Sequence, residues 1–130
     1  MILLLDTQVW LWLQSEPERV IPTVRETLAD PQHELLLSAA SAWEIAIKHG
    51  LGKLSLPVPP EQYVPASMER SDTASLPVSV AHALRVASLP AHHRDPFDRL
   101  LVAQAQLERL TLVTADRQLA PYDVELIWAA

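Results

Sequence analysis

The chain has 130 residues, 49% of them hydrophobic, no cysteine and a formal net charge of −6. That length supports one domain around one core, and the lack of cysteine excludes disulfides and thiolate metal sites and suits a reducing cytoplasm. The acidic balance counts against a general nucleic-acid binder, which carries a basic face, unless carboxylates converge on cations that reverse the local sign.

In chain order, Ile2–Leu5 reads as a buried strand. It lacks a basic flank and ends at Asp6, so it does not read as a signal peptide. The run Val9-Trp10-Leu11-Trp12-Leu13 is apolar on every helical face, more than one buried side requires, and predicts that part of it meets a partner. Val20, Val24 and Leu28 recur at helical spacing, with Pro22 near the start. Glu34–Leu37 is a second strand. Ser41 to His49 reads as a helix stopped at Gly50-Leu51-Gly52, where glycine supplies a left-handed cap. Residues 54–60 are a proline-broken connection, and Glu61–Arg70 and Val78–Ala87 are weaker helices. Pro96–Arg109 is the strongest helix, with proline in its first turn. Thr111–Thr114 and Val124–Trp128 complete four strands. Strands without polar alternation, separated by helices, predict one α/β domain over residues 1–130 with a covered parallel sheet. No apolar run approaches the roughly 20 residues of a membrane span.

Ligands of open parallel sheets bind beyond the carboxyl ends of the strands. Four segments place acids there: Leu5-Asp6-Thr7, Ser41-Ala42-Trp43-Glu44, Asp95-Pro96-Phe97-Asp98 and Val113-Thr114-Ala115-Asp116. Two unit charges ~4 Å apart repel by about 4 kcal/mol at an effective dielectric of 20, so such a cluster calls for cations. Oxygen ligands suit Mg²⁺ or Mn²⁺. Each acid also has a plainer role open to it. Asp6 and Asp116 suit helix caps, and Ser41-x-x-Glu44 spells a capping box in the first turn of its helix. Asp95 reads as an N-cap before it reads as a ligand. Arg99 suits a phosphate contact or a surface ion pair equally. His92 and His93 read as a solvated loop before they read as phosphate or metal contacts. His33, His49 and His82 read as surface residues. Most of Trp10, Trp12, Trp43 and Trp128 read as core or dimer interface.

These segments together resemble a PIN-domain nuclease, most closely the VapC-type toxins of bacterial toxin–antitoxin systems. The resemblance runs the length of the chain, and Asp95-Pro96-Phe97-Asp98-Arg99, followed by Leu100-Leu101-Val102-Ala103, is its most specific piece. It implies a parallel sheet of four or five strands and a Mg²⁺- or Mn²⁺-dependent endoribonuclease. Asp6, Glu44, Asp98 and Asp116 would form the acidic metal site, with Thr114 as a polar neighbour. It also implies an RNA substrate, a cognate antitoxin, a homodimer and a cytoplasmic location away from membranes. A PIN-like interaction module, or a housekeeping nuclease without a toxin role, is the alternative. Two other α/β classes fit poorly. A dehalogenase-type phosphatase wants a second acid where Gln8 stands, and a response-regulator receiver wants its phosphoacceptor where Ser38 stands.

Overall fold

The computed structural model describes residues 1–130. Five strands form one sheet: β1 (Ile2–Leu5), β2 (Glu34–Ser38), β3 (Thr73–Leu76), β4 (Thr111–Thr114) and β5 (Glu125–Trp128). Every pairing is parallel and the order is β3-β2-β1-β4-β5. Six helices connect or flank them: α1 (Thr7–Ser15), α2 (Pro22–Ala29), α3 (Ala39–Gly50), α4 (Pro60–Arg70), α5 (Val80–Arg85) and α6 (Pro96–Glu108).

The sheet is buried on both faces, and the period of two along each strand divides the core. Leu3, Leu5, Leu35, Leu37 and Val113 pack with Val9 and Trp10 of α1, Val24 and Leu28 of α2, Ile45 of α3 and Val64 of α4. Leu4, Leu36 and Leu112 point the other way, onto Leu101, Val102 and Ala105 of α6. Unbroken leucine runs therefore serve two different cores.

The chain starts in the middle of the sheet, builds outward to β3, then returns to the other side of β1 for β4 and β5. The winding direction reverses between β1 and β4, and a crevice opens beyond their carboxyl ends at such a point. The fold thus selects the ends of β1 and β4 before any side chain is considered.

Helix ends follow local chemistry. Pro22 and Pro96 occupy first turns. The left-handed residue after α3 is Gly52 (φ 73°) and not Gly50, which is still helical. The Gly52 N–H donates to His49 O at 3.0 Å and the Lys53 N–H to Lys48 O at 2.9 Å, the paired bonds of a Schellman cap. α3 starts at Ala39 with Ser38 as its cap. Glu44 therefore lies in the second turn, and Ser41 accepts a hydrogen bond from the Thr7 hydroxyl at 2.8 Å, so Ser41 and Glu44 form no capping box. The chain's capping box is Ser79 with His82. His82 is correspondingly buried, and its Nε2 lies 2.9 Å from Glu108, tying α5 to α6, which corrects its reading as a surface residue. Among the tryptophans, Trp10 is fully buried, Trp12 and Trp128 are partly so, and Trp43 is 61% exposed. No helix is long and apolar enough to cross a membrane.

Candidate active site at the β1–β4 crevice

A cleft of about 550 Å³ opens where the winding reverses, and Asp6, Glu44, Asp95, Asp98 and Asp116 all line it. The only cationic side chains on its wall are Lys48 and Lys53. The four acids singled out from sequence are therefore brought together, from the end of β1, the second turn of α3, the first turn of α6 and the segment after β4.

Asp6 follows directly on β1, and its N–H donates to Val113 O at 2.9 Å, continuing the ladder to β4. One carboxylate oxygen accepts the Gln8 N–H at 2.8 Å and caps α1. The other accepts the Thr114 hydroxyl at 2.6 Å. Burial nevertheless raises the Asp6 pKa, because these bonds and others from the backbone only partly offset the loss of water. Thr114 in turn accepts the Asp116 N–H at 3.0 Å, so one hydroxyl sets the spacing of the first and last acids.

Asp98 is the acid with least structural employment. Asp95 caps α6 by accepting the N–H groups of Phe97 and Asp98 at 2.8 and 3.4 Å, which supports its capping role. Asp98 is left facing the cleft. Burial, then the negative charges of Asp6 and Asp95, push its pKa up to about 7. The helix N-terminus favours an acid here, but burial and like charge win.

Glu44 is 4% exposed although it is a carboxylate. Its Oε2 accepts from Lys48 Nζ at 2.5 Å, and its Oε1 is buried with no hydrogen-bond partner. Lys48 is held charged chiefly by that bond. A buried carboxylate oxygen without a partner is costly. Glu44 lines the same cleft as Asp6, Asp98 and Asp116, and carboxylate oxygens are the donor type that hard divalent cations take.

Two residues behave differently from their sequence reading. His93 is not in solvent: its Nε2 lies 2.7 Å from Asp116 Oδ2 and 3.2 Å from Asp98 Oδ2. Its Nδ1 accepts the Asp95 N–H at 3.0 Å, so the ring hydrogen sits on Nε2 and points at the acids. His93, Asp98 and Asp116 offer ligand atoms within 4.8 Å of one another. In this tautomer, however, His93 is a donor that aims two carboxylates, not a ligand. The only sequence hint of it was its place just before the acidic helix. Arg99 points away from the cleft, donating to Val86 O and Leu89 O at 3.2 Å each, and so anchors the loop before α6 instead of meeting a phosphate or forming an ion pair.

Comparisons with known proteins bear on the family and the fold. The family model described as "PIN domain" matches residues 3–125. Ribonuclease VapC22 of Mycobacterium tuberculosis is 32% identical over 116 residues, covering 89% of this chain and 88% of that protein. Ribonuclease VapC16 of the same organism is 49% identical over 69 residues, covering 51% of this chain and about half (49%) of that protein's length. Among solved structures, VapBC2 from Rickettsia felis, bound to a DNA fragment from its promoter, shares the fold with a TM-score of 0.76 at 17% identity, each chain fully covered. With the family model spanning nearly all of the sequence, the chain belongs to the PIN-domain family.

Proposed function

We propose that the chain, acting over residues 1–130 as one domain, is a metal-dependent endoribonuclease and the toxin half of a toxin–antitoxin pair. The observation that carries the reading is the buried, partnerless Oε1 of Glu44 in a cleft shared with Asp6, Asp98 and Asp116. The ribonuclease names of the two relatives support the activity, and the solved VapBC complexes support the antitoxin partner.

In this reading Asp6 and Asp98 hold a divalent cation of the Mg²⁺ or Mn²⁺ kind, and Glu44 and Asp116 complete or orient its shell. Such a cation, when bound, lowers the pKa of a water and polarises the phosphate. The protein's part is to aim the donors. Thr114 fixes Asp6 through its 2.6 Å bond, and His93 fixes Asp116 at 2.7 Å. No side chain need become a covalent nucleophile. Bound cations also reconcile an acidic cleft with a polyanionic substrate. RNA cleavage by the purified chain is expected to vanish in EDTA and to return with Mg²⁺ or Mn²⁺. Undiminished cleavage in chelator would overturn the mechanism.

The toxin role implies an inhibitor. A short segment carrying Arg or Lys would satisfy the carboxylates in place of metal, with apolar flanks against the part-buried Leu11 and Trp12 on the same cleft wall. Such a segment orders on binding. Expression of this chain alone should arrest growth, and co-expression of an antitoxin encoded beside it should restore growth. A folded, RNA-cleaving chain that is harmless in cells would point to a housekeeping nuclease. A homodimer and a cytoplasmic location complete the proposal.

A further inference from the structure

The pairing of Lys48 with Glu44 has no role in the chemistry above. The two residues sit one helical turn apart on α3, and their 2.5 Å contact joins a buried carboxylate to a side chain about half exposed. An ordinary i,i+4 pair on a helix surface is a weak contact between two solvated groups. Here one partner is sealed in the cleft, and the cation is the sole charge that neutralises it. Only one Glu44 oxygen is served; the other is buried and unpartnered. Lysine carries a single charge on a flexible stem, can leave without disturbing the helix, and already reaches solvent.

We propose that Lys48 is a built-in counter-ion of the metal-free cleft: it competes with the divalent cation for Glu44 and, once displaced, turns to the RNA backbone phosphate. This rests on the nuclease reading. The cleft wall has five carboxylates and only two lysines, Lys48 and Lys53, so a phosphate leaving the metal-bearing end meets no other cationic side chain there. The same charge thus protects the fold before metal arrives and contributes to substrate binding afterwards.

The test is Mn²⁺ binding to metal-free protein, followed by calorimetry without RNA, for wild type, K48Q and K48R. Loss of the competing charge should tighten Mn²⁺ binding to K48Q on the order of tenfold, since a charge-assisted hydrogen bond of this kind must be broken in wild type but not in the variant. K48R should remain near wild type. With RNA, K48Q should show a raised KM with little change in kcat, as expected for loss of a uniform phosphate contact. Equal or weaker Mn²⁺ binding by K48Q overturns the competition, as does tightening in K48R to the same extent. An unchanged KM overturns the transfer to phosphate. If K48Q does not fold, wild type still answers by NMR. The Lys48 ammonium resonance should lose its Glu44-bound shift as Mg²⁺ is added, and a resonance that stays put overturns the proposal. Wild type that takes up no Mn²⁺ sinks the nuclease mechanism as well, whereas Mn²⁺ uptake that is indifferent to Lys48 sinks this inference alone.

Discussion

Asp98→Asn is expected to leave a folded protein that cleaves RNA at least on the order of a hundredfold more slowly, the loss typical of a disturbed metal centre. The cap of α6 is Asp95, so the substitution leaves the helix start in place. The same variant isolates a pH effect. Burial first, and then Asp6 and Asp95, raise the Asp98 pKa to about 7 from the ordinary aspartate value of 3.8. The folded chain thus holds this proton more tightly than the unfolded chain. The resulting stability is fully present below about pH 4 and is lost as pH rises through 7. Metal-free wild type should lose Tm relative to Asp98→Asn across that window, and the variant should be the more stable of the two above pH 7. Adding Mg²⁺ at pH 8 should raise the wild-type Tm and leave the variant unmoved. Parallel melting profiles from pH 4 to 8, or normal cleavage by the variant, would remove Asp98 from the site.

Trp10→Ala should destabilise the fold by about 3–5 kcal/mol, the range for deleting a fully buried aromatic side chain. Trp10 is 0% exposed, and its indole N–H donates to Thr73 at 3.4 Å, linking α1 to the edge strand β3. Against a total stability of roughly 5–15 kcal/mol for an ordinary domain, that loss dominates. Trp12→Ala should cost much less, because Trp12 is part-exposed on the cleft wall with the Arg19 guanidinium 5.0 Å from its ring centroid. Urea unfolding of the two variants separates them: similar midpoints would mean that Trp10 is not the core residue its burial implies. The apolar run from Val9 to Leu13 is thereby divided. Val9 and Trp10 belong to the buried core, and Leu11, Trp12 and Leu13 pack against it while staying partly exposed.

Strands β1, β2 and β4 were legible because leucine and valine runs buried on both faces leave no alternative pattern. Strand β3 was not. Thr73-Ala74-Ser75-Leu76 is an edge strand with one neighbour and two exposed residues, so it lacks a hydrophobic signature. The acids after β1 and β4 could be placed because strand ends fix their positions. Glu44 was recognised but set one turn too early, since Ser41-x-x-Glu44 has the spelling of a capping box while Ser38 holds the cap. His93 was undervalued for a different reason. Its worth depends on Asp116, 23 residues away, and on a loop whose path has no periodicity. Arg99 shows the opposite error: charge next to an acid suggested substrate, but two carbonyls, Val86 O and Leu89 O, claim its guanidinium.

The central position of β1 has a consequence for how the protein is made. β1 leaves the ribosome long before β4, which must flank it, and the Thr114–Asp6 bond joins residues 108 positions apart. Contacts of such long range are paid for in loop entropy before they stabilise anything, which slows folding. Until residues 114–116 have emerged, a nascent chain holds Asp6 without its hydroxyl partner and lacks the last acid altogether. A growing polypeptide therefore cannot assemble this cleft early; its synthesis runs almost to the end of the sheet before the site exists.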